Sequence, residues 1–320
     1  MTIAVGPEIA LIEAELLRWV GSGDSPLELA CLDALFPPGK LLRPVLCMES
    51  AKAVGGTAEQ VLAFAAGMEC LHVASLVHDD IIDQDPVRRG RASTAEQYGL
   101  AEALVAGDGL SMAGMAAMLS SGPAERVLHA ARITVDALRH MCQGIMREMQ
   151  IRGDLTCGAP TALSIMQAKT AVLTGAACQA GAILAGATPQ QHQALRQYGE
   201  QLGMAFQIRD DLLPYTAEDQ RTGKTATSDV ANLQPTLPVL LAYEAADEAD
   251  RNLLATVFRD GTDPVTAHRD VLAVLTRTGA LSQAARMASS SAEQARAELT
   301  GLPGSTQLAA MATSAADRQR

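Results

Sequence analysis

Residues 77–91, VHDDIIDQDPVRRGR, set four carboxylates and then three arginines within fifteen positions. An apolar run leads into them from Thr57, whose spacing to Gln60 fits a capping box, so one helix is expected from there to about Ile82. Its length approaches that of a membrane span, but Glu69, His72, His78 and the aspartates mark it as a buried helix of a bundle. Asp79 and Asp83 stand four apart and share one helix face, with Asp80 beside them and His72 on the same stripe. Such hard oxygen donors suit Mg2+, which commonly binds together with substrate phosphates, and Arg88, Arg89 and Arg91 offer forks for diphosphate oxygens. Short acidic patterns also occur by chance on solvated helix ends. The apolar helix leading into this one and the basic run after it lower the weight of that bland reading.

A second acidic end lies in GMAFQIRDDLLPY, residues 203–215. Gln207 can share a face with either Asp210 or Asp211, and Met204, Phe206, Ile208, Leu212 and Leu213 give them apolar surroundings. Two carboxylate-bearing helix ends facing each other could hold several Mg2+ ions around one diphosphate, although Asp210 and Asp211 could also pair with Arg209 or Arg221, or face water. Lys40 and Arg43 follow Pro37-Pro38-Gly39 at an expected helix start, where side chains and free backbone N–H groups favour an anion. Lys169-Thr170 sits inside an apolar helix, where a lysine is costly unless paired or reaching solvent. Lys224 lies in a polar stretch at 216–234 that reads as a long loop and a candidate lid.

The rest of the chain is consistent with an all-α architecture. Hydrophobic residues are 48% of 320 and aromatics only 3%, so Ala, Leu, Met, Val and Ile must build the core, a mixture that favours helices. Helices are expected at about 7–20, 27–35, 42–54, 57–82, 101–119, 124–150, 161–185, 189–213, 237–248, 250–258, 264–276, 281–299 and 305–316. Pro214 is expected to end the helix before it. No Gly/Pro/Ser-rich linker divides the chain, so residues 1–320 are expected to form one domain, with the N-terminal helices at 1–36 and the C-terminal helices at 264–320 included.

A net charge of −11 argues against nucleic acid or an anionic membrane as a partner. Six cysteines without metal-like spacing read as reduced buried thiols, and the N-terminal stretch lacks a basic region, so a soluble cytoplasmic protein without a transmembrane segment is expected.

At these residues the chain resembles the trans-isoprenyl diphosphate synthases, the polyprenyl synthetase family. The resemblance runs through GKLLRP (39–44), HVASLVHDDIIDQDPVRRG (72–90), GD (107–108), KT (169–170), FQIRDD (206–211), GKTATSD (223–229) and TLP (236–238). It implies a single bundle of long helices around a deep central cavity, the isoprenoid synthase type. Asp79, Asp83 and Asp210 would coordinate Mg2+, three ions with substrate bound, assisted by Asp80, Asp211 and Asp229. Arg88, Lys169 and Lys224 would hold the allylic diphosphate, and Lys40, Arg43, His72 and Arg89 the diphosphate of isopentenyl diphosphate. Thr170 and Gln207 would lie beside the allylic cation.

The resemblance further implies a homodimer and a linear product that associates with membranes. Two departures stand out: Pro214 replaces a usual aspartate, and Gln234 a usual basic residue. Ala74 and Ser75, small where short-chain members carry aromatics, point to a product of C20 or longer. Ser111, Gly114, Ala116 and Ala117 would leave further room, with Met112, Met115 and Met118 as a floor. The rival readings are a class I terpene cyclase and a noncatalytic partner subunit of another prenyl synthase.

Overall fold

A computed structural model describes residues 6–216, 227–260 and 263–316. In chain order the described helices are α1 (Gly6–Val20), α2 (Pro26–Leu35), α3 (Leu42–Ala53), α4 (Leu62–Asp83), α5 (Thr94–Tyr98), α6 (Leu100–Leu119), α7 (Ala124–Gln150), α8 (Ala159–Met166), α9 (Val172–Ala185) and α10 (Pro189–Thr216). They continue with α11 (Ser228–Ala231), α12 (Leu237–Ala245), α13 (Glu248–Asp260), α14 (Pro264–Thr278), α15 (Ala280–Ala297) and α16 (Thr306–Ala316). Among the described residues the only strands are β1 (Val87–Arg88) and β2 (Arg91–Ala92), paired antiparallel with Arg88 opposite Arg91. The all-α expectation therefore holds.

The chain divides into two compact units, Met1–Asp136 with Thr174–Gly199 and Glu298–Met311, and Ala137–Leu173 with Glu200–Ala297 and Ala312–Arg320. Each is entered more than once, so neither is a contiguous stretch of sequence.

In the first unit α4 packs along α6, and small residues set how closely. A Cβ on Gly67 would stand 2.6 Å from the Gly114 carbonyl oxygen and 2.8 Å from Cγ of Met118, and one on Gly114 would stand 2.8 Å from the Gly67 carbonyl oxygen. The two backbones touch, so Gly114 serves helix packing rather than open space. Met118 is buried in that contact, whereas Met112 and Met115 are exposed and form no interior floor. Thr57 contributes half of its expected cap: its N–H donates to Gln60 Oε1 at 3.0 Å, and a short 3-10 turn, Glu59–Val61, precedes α4.

The second unit has its own core, in which Leu237, Val239, Leu240 and Ala242 of α12 meet Val271, Val274 and Leu275 of α14 and Ala280, Ala284 and Ala288 of α15. Here the helix expected to end before Pro214 runs through it to Thr216. Proline removes one helix hydrogen bond but leaves the rest of the last turn intact. Partners from α14 support this end: His268 Nε2 bonds the Pro214 carbonyl at 2.9 Å, and its ring stacks on Tyr215 with centroids 5.1 Å apart.

Two helical runs, Glu59–Asp83 and Ala159–Ala185, are long and apolar enough to cross a membrane, and 67% and 72% of their apolar windows are buried within the protein. All six cysteines are free; Cys31, Cys47, Cys70 and Cys178 are buried, and burial raises the pKa of all four. Their thiols are correspondingly poor nucleophiles.

In an exposed helix Gly→Ala stabilises by about 1 kcal/mol. At Gly67 the sign is expected to reverse, with Gly67→Ala losing about 1–3 kcal/mol in denaturant unfolding because a backbone carbonyl cannot move aside.

Candidate active site

In the first unit α4 ends at Asp83, and Gln84 closes it in the left-handed region (φ 54), its N–H donating to the Asp80 carbonyl. A helix C-terminus is a negative pole, and Asp79, Asp80, Asp83 and Asp85 all crowd it. The hairpin supplies compensation. Its turn residues Arg89 and Gly90 both have positive φ, 53 and 74, the two-residue turn that matches strand twist. Arg88 thereby reaches Asp80: Nε donates to Oδ1 at 2.8 Å, Nη2 bonds the same oxygen, and Asp85 lies 4.0 Å away.

The other side of the hairpin meets the segment before α3. A Cβ on Gly39 would stand 2.5 Å from Nη2 of Arg89, and Arg91 Nη1 donates to the Phe36 carbonyl at 2.6 Å. Leu41 takes a left-handed conformation (φ 50) directly before α3, whose first turn carries the buried Arg43. Burial, then Arg43, Arg89 and Arg88, hold the His72 pKa well below the usual imidazole range, so this ring is neutral near pH 7. The structure thus gathers Arg43, His72, Arg88 and Arg89 around one anion-seeking region, with Lys40 immediately before α3.

Sequence reasoning gave Glu69 no role beyond marking a buried helix. It lies one turn before His72 and is 2% exposed; burial raises its pKa while Arg43 and Arg89 oppose the rise. Arg43 Nε and Glu69 Oε2 are buried without a hydrogen-bond partner among the described residues. An unpartnered buried guanidinium nitrogen beside arginines and a neutral imidazole fits a polyanion better than it fits an apolar ligand.

In the second unit the chain between α8 and α9 widens into a π turn, Gln167–Ala171, which carries Lys169 and Thr170. Such turns are rare and concentrate at functional sites. Thr170 Oγ1 donates to Gln207 Oε1 at 2.8 Å, and Gln207 Nε2 donates to Asp211 Oδ1 at 3.0 Å. The first N–H of α12, from Leu237, approaches Asp211 Oδ2 at 3.4 Å. Lys169 is paired with Glu148 at 2.6 Å, a partner twenty-one positions away that no local pattern reveals. Asp210, at the exposed surface of α10, and Asp229, in α11, lie in the same unit, while Lys224 lies outside the described residues.

Burial, then Asp229, push Asp211 up to about 8, with Asp210 adding to the rise. Among the described residues no three His, Cys, Asp or Glu side chains already form a metal cage. Carboxylates that repel one another at helix ends nevertheless suit a hard divalent cation that completes its shell with substrate oxygens.

Residues 26–275 match the Polyprenyl synthetase family, and the chain belongs to it. A short chain isoprenyl diphosphate synthase of Methanothermobacter thermautotrophicus is 35% identical over 274 residues, covering 86% of this chain and 84% of that protein. An octaprenyl diphosphate synthase of Escherichia coli is 31% identical, covering 83% and 80%. Among solved structures, a Caulobacter crescentus polyprenyl synthase complexed with calcium and isoprenyl diphosphate aligns with a TM-score of 0.90 at 28% identity, covering 98% of this chain and 95% of that one.

The raised Asp211 pKa gives a signed expectation for the metal-free protein. Against an ordinary value of 3.8, the folded carboxyl near 8 keeps a proton that the unfolded chain has lost, so its contribution to stability is greatest at low pH and fades as pH rises through 8. In chelator, the melting temperature is expected to fall between about pH 4 and 8, and Asp211→Asn to flatten that slope.

Proposed function

We propose that the protein is a trans-prenyltransferase that condenses an allylic diphosphate with isopentenyl diphosphate, giving a linear polyprenyl diphosphate of C20 or longer and releasing diphosphate. The observation that carries this reading is the anion region of the first unit, where Arg43, His72, Arg88 and Arg89 gather beside an acidic helix end. A prenyl donor alone requires one diphosphate site; elongation requires two. On this reading Arg88, Lys169 and Lys224 bind the allylic diphosphate, and Lys40, Arg43, His72 and Arg89 bind that of isopentenyl diphosphate.

Mg2+, three ions with substrate bound, would be held by Asp79, Asp83 and Asp210 with Asp80, Asp211 and Asp229, and would neutralise the charge of the departing diphosphate. The arginines and lysines add fixed positive charge to the same leaving group, so the allylic C–O bond breaks heterolytically. The isopentenyl double bond attacks the allylic carbon, and the proton lost in re-forming an alkene passes to the released diphosphate. Neutral His72 binds without becoming the base. Thr170 gives its hydroxyl hydrogen to Gln207, so what it offers a cation is lone-pair density. Apolar walls exclude the water that would quench that cation.

The product-length proposal rests on Ala74, which is buried, and Ser75, whose hydroxyl is turned onto the His72 carbonyl at 2.7 Å. Small side chains one turn before the acids leave room for a growing chain. The interleaving of both units along the sequence supports a single catalytic domain, and the buried free thiols suit a cytoplasmic setting.

A homodimer is part of the proposal. Leu104, Val105, Met112, Met115 and Leu119 recur at helical spacing along α6 and are 37–64% exposed, an apolar stripe interrupted only by the exposed Asp108 and of the kind that marks an interface. A second copy of this chain, presenting the same stripe across a two-fold axis, covers it without requiring another protein.

Purified protein with Mg2+, isopentenyl diphosphate and separate C5, C10, C15 and C20 allylic primers is expected to yield linear diphosphates of C20 or more by mass analysis. Accumulation of only C10 or C15 products would sink the length assignment, hydrocarbons would indicate a cyclase, and turnover only with an added synthase would indicate a partner subunit. Asp79→Ala is expected to lower kcat/KM by about two to three orders of magnitude. In light scattering, Val105→Asp/Met112→Asp should shift a dimeric mass toward the monomer; an unchanged dimer would place the interface elsewhere.

A further inference from the structure

Pro214 has no N–H to give to the carbonyl of Asp210 four residues earlier, and its ring crowds that carbonyl. The proline therefore weakens the helical turn carrying Asp210 and Asp211. Several contacts from outside α10 converge on this point. His268 Nε2 donates to the Pro214 carbonyl at 2.9 Å. The His268 ring lies parallel to the buried Tyr215 ring, 6° apart in plane and 5.1 Å between centroids. Leu237 N–H at the start of α12 approaches Asp211 itself.

We infer that His268 is a positioning residue for the second acidic site: bonded to the Pro214 carbonyl and stacked on Tyr215, it replaces the rigidity that the proline removes from the turn of Asp210 and Asp211. This rests on the proposed role of those aspartates in holding a metal–diphosphate complex. The stack is offset enough to be attractive and presents an edge nitrogen to the carbonyl, so one side chain fixes both the direction and the tilt of the helix end. A carboxylate carried one helical turn away moves with that tilt, and divalent binding through few protein ligands is sensitive to such movement. The importance of His268 is then conditional on residue 214. A general packing residue has no such dependence.

The test is a double-mutant cycle read by direct metal binding. Full-length wild type, His268→Ala, Pro214→Ala and Pro214→Ala/His268→Ala are titrated with Mn2+ in the presence of inorganic diphosphate, with free Mn2+ counted by electron paramagnetic resonance. His268→Ala is expected to weaken Mn2+ binding about fivefold in the proline background and less than about twofold in the Pro214→Ala background, where the missing hydrogen bond is restored. His268→Gln, which keeps a donor nitrogen near the Nε2 position, should recover part of the loss. Equal losses in both backgrounds, or none, would overturn the inference. If His268→Ala alone does not fold, comparison of the double variant with Pro214→Ala decides: a loss greater than about twofold, or failure of the double variant to fold, overturns it equally. Wild type that binds no Mn2+ with diphosphate would instead overturn the proposed metal site, and this inference with it.

Discussion

Like charges placed at the negative pole of a helix repel both one another and the pole, and this repulsion shapes the chemistry of the chain. At the end of α4 the answer is partly internal: a two-residue turn with both φ values positive folds β1 and β2 back so that Arg88 meets Asp80 and Asp85. At the end of α10 no arginine bonds Asp211 among the described residues; Gln207 and the N-terminus of α12 supply neutral donors, and burial beside Asp229 and Asp210 still holds its carboxyl near 8. Neutral dipoles cannot cancel a buried charge as a cation can. The two ends thus differ in how their acids are answered, by an arginine at one and by neutral donors to Asp211 at the other.

The anion region has the opposite sign and a different construction. Arginines, which cannot release their protons, sit near a histidine that has been forced neutral, so the charge available to an incoming diphosphate is fixed across ordinary pH. A side chain at Gly39 would displace the Arg89 guanidinium, a contact that links the segment before α3 to the hairpin after α4. Glu69 lies within the influence of Arg43 and Arg89 and opposes the burial that lowers the pKa of both. On the proposed reading, a diphosphate meets an Arg88 guanidinium already held by Asp80, and less of its binding energy is lost to ordering that side chain.

Local patterns carried much of this into the sequence. Amphipathic spacing placed α7 at its observed bounds and most other helices within a few residues, since periodicity and caps act over single turns. The spacing of His72, Asp79 and Asp83 likewise survives because α4 is regular to its last residue. What depends on remote contacts was not legible. The π turn at Lys169 and Thr170 looks like ordinary helix in sequence, and the pairing of Lys169 with Glu148 joins residues from different helices. The intrinsic preference of Pro214 favours a helix end, whereas α10 continues to Thr216 beside the remote contact with His268. Glu69 did leave a signal: an acid one turn before His72 in an apolar helix has to be buried with something.

Small residues show most clearly why a single sequence cue can have two structural meanings. Gly67 and Gly114 leave no space, because the two helix backbones fill it. Ala74, seven residues after Gly67 on α4, falls on nearly the same stripe about 10 Å along the axis. Of the three methionines on α6, Met118 alone is buried, against Gly67, while Met112 and Met115 lie in the exposed stripe. On the proposed reading, a prenyl chain extending past Ala74 along α4 runs toward Met118 at the tight helix crossing. A flexible, unbranched side chain at that point can yield to a lengthening chain where a glycine-tight backbone contact cannot.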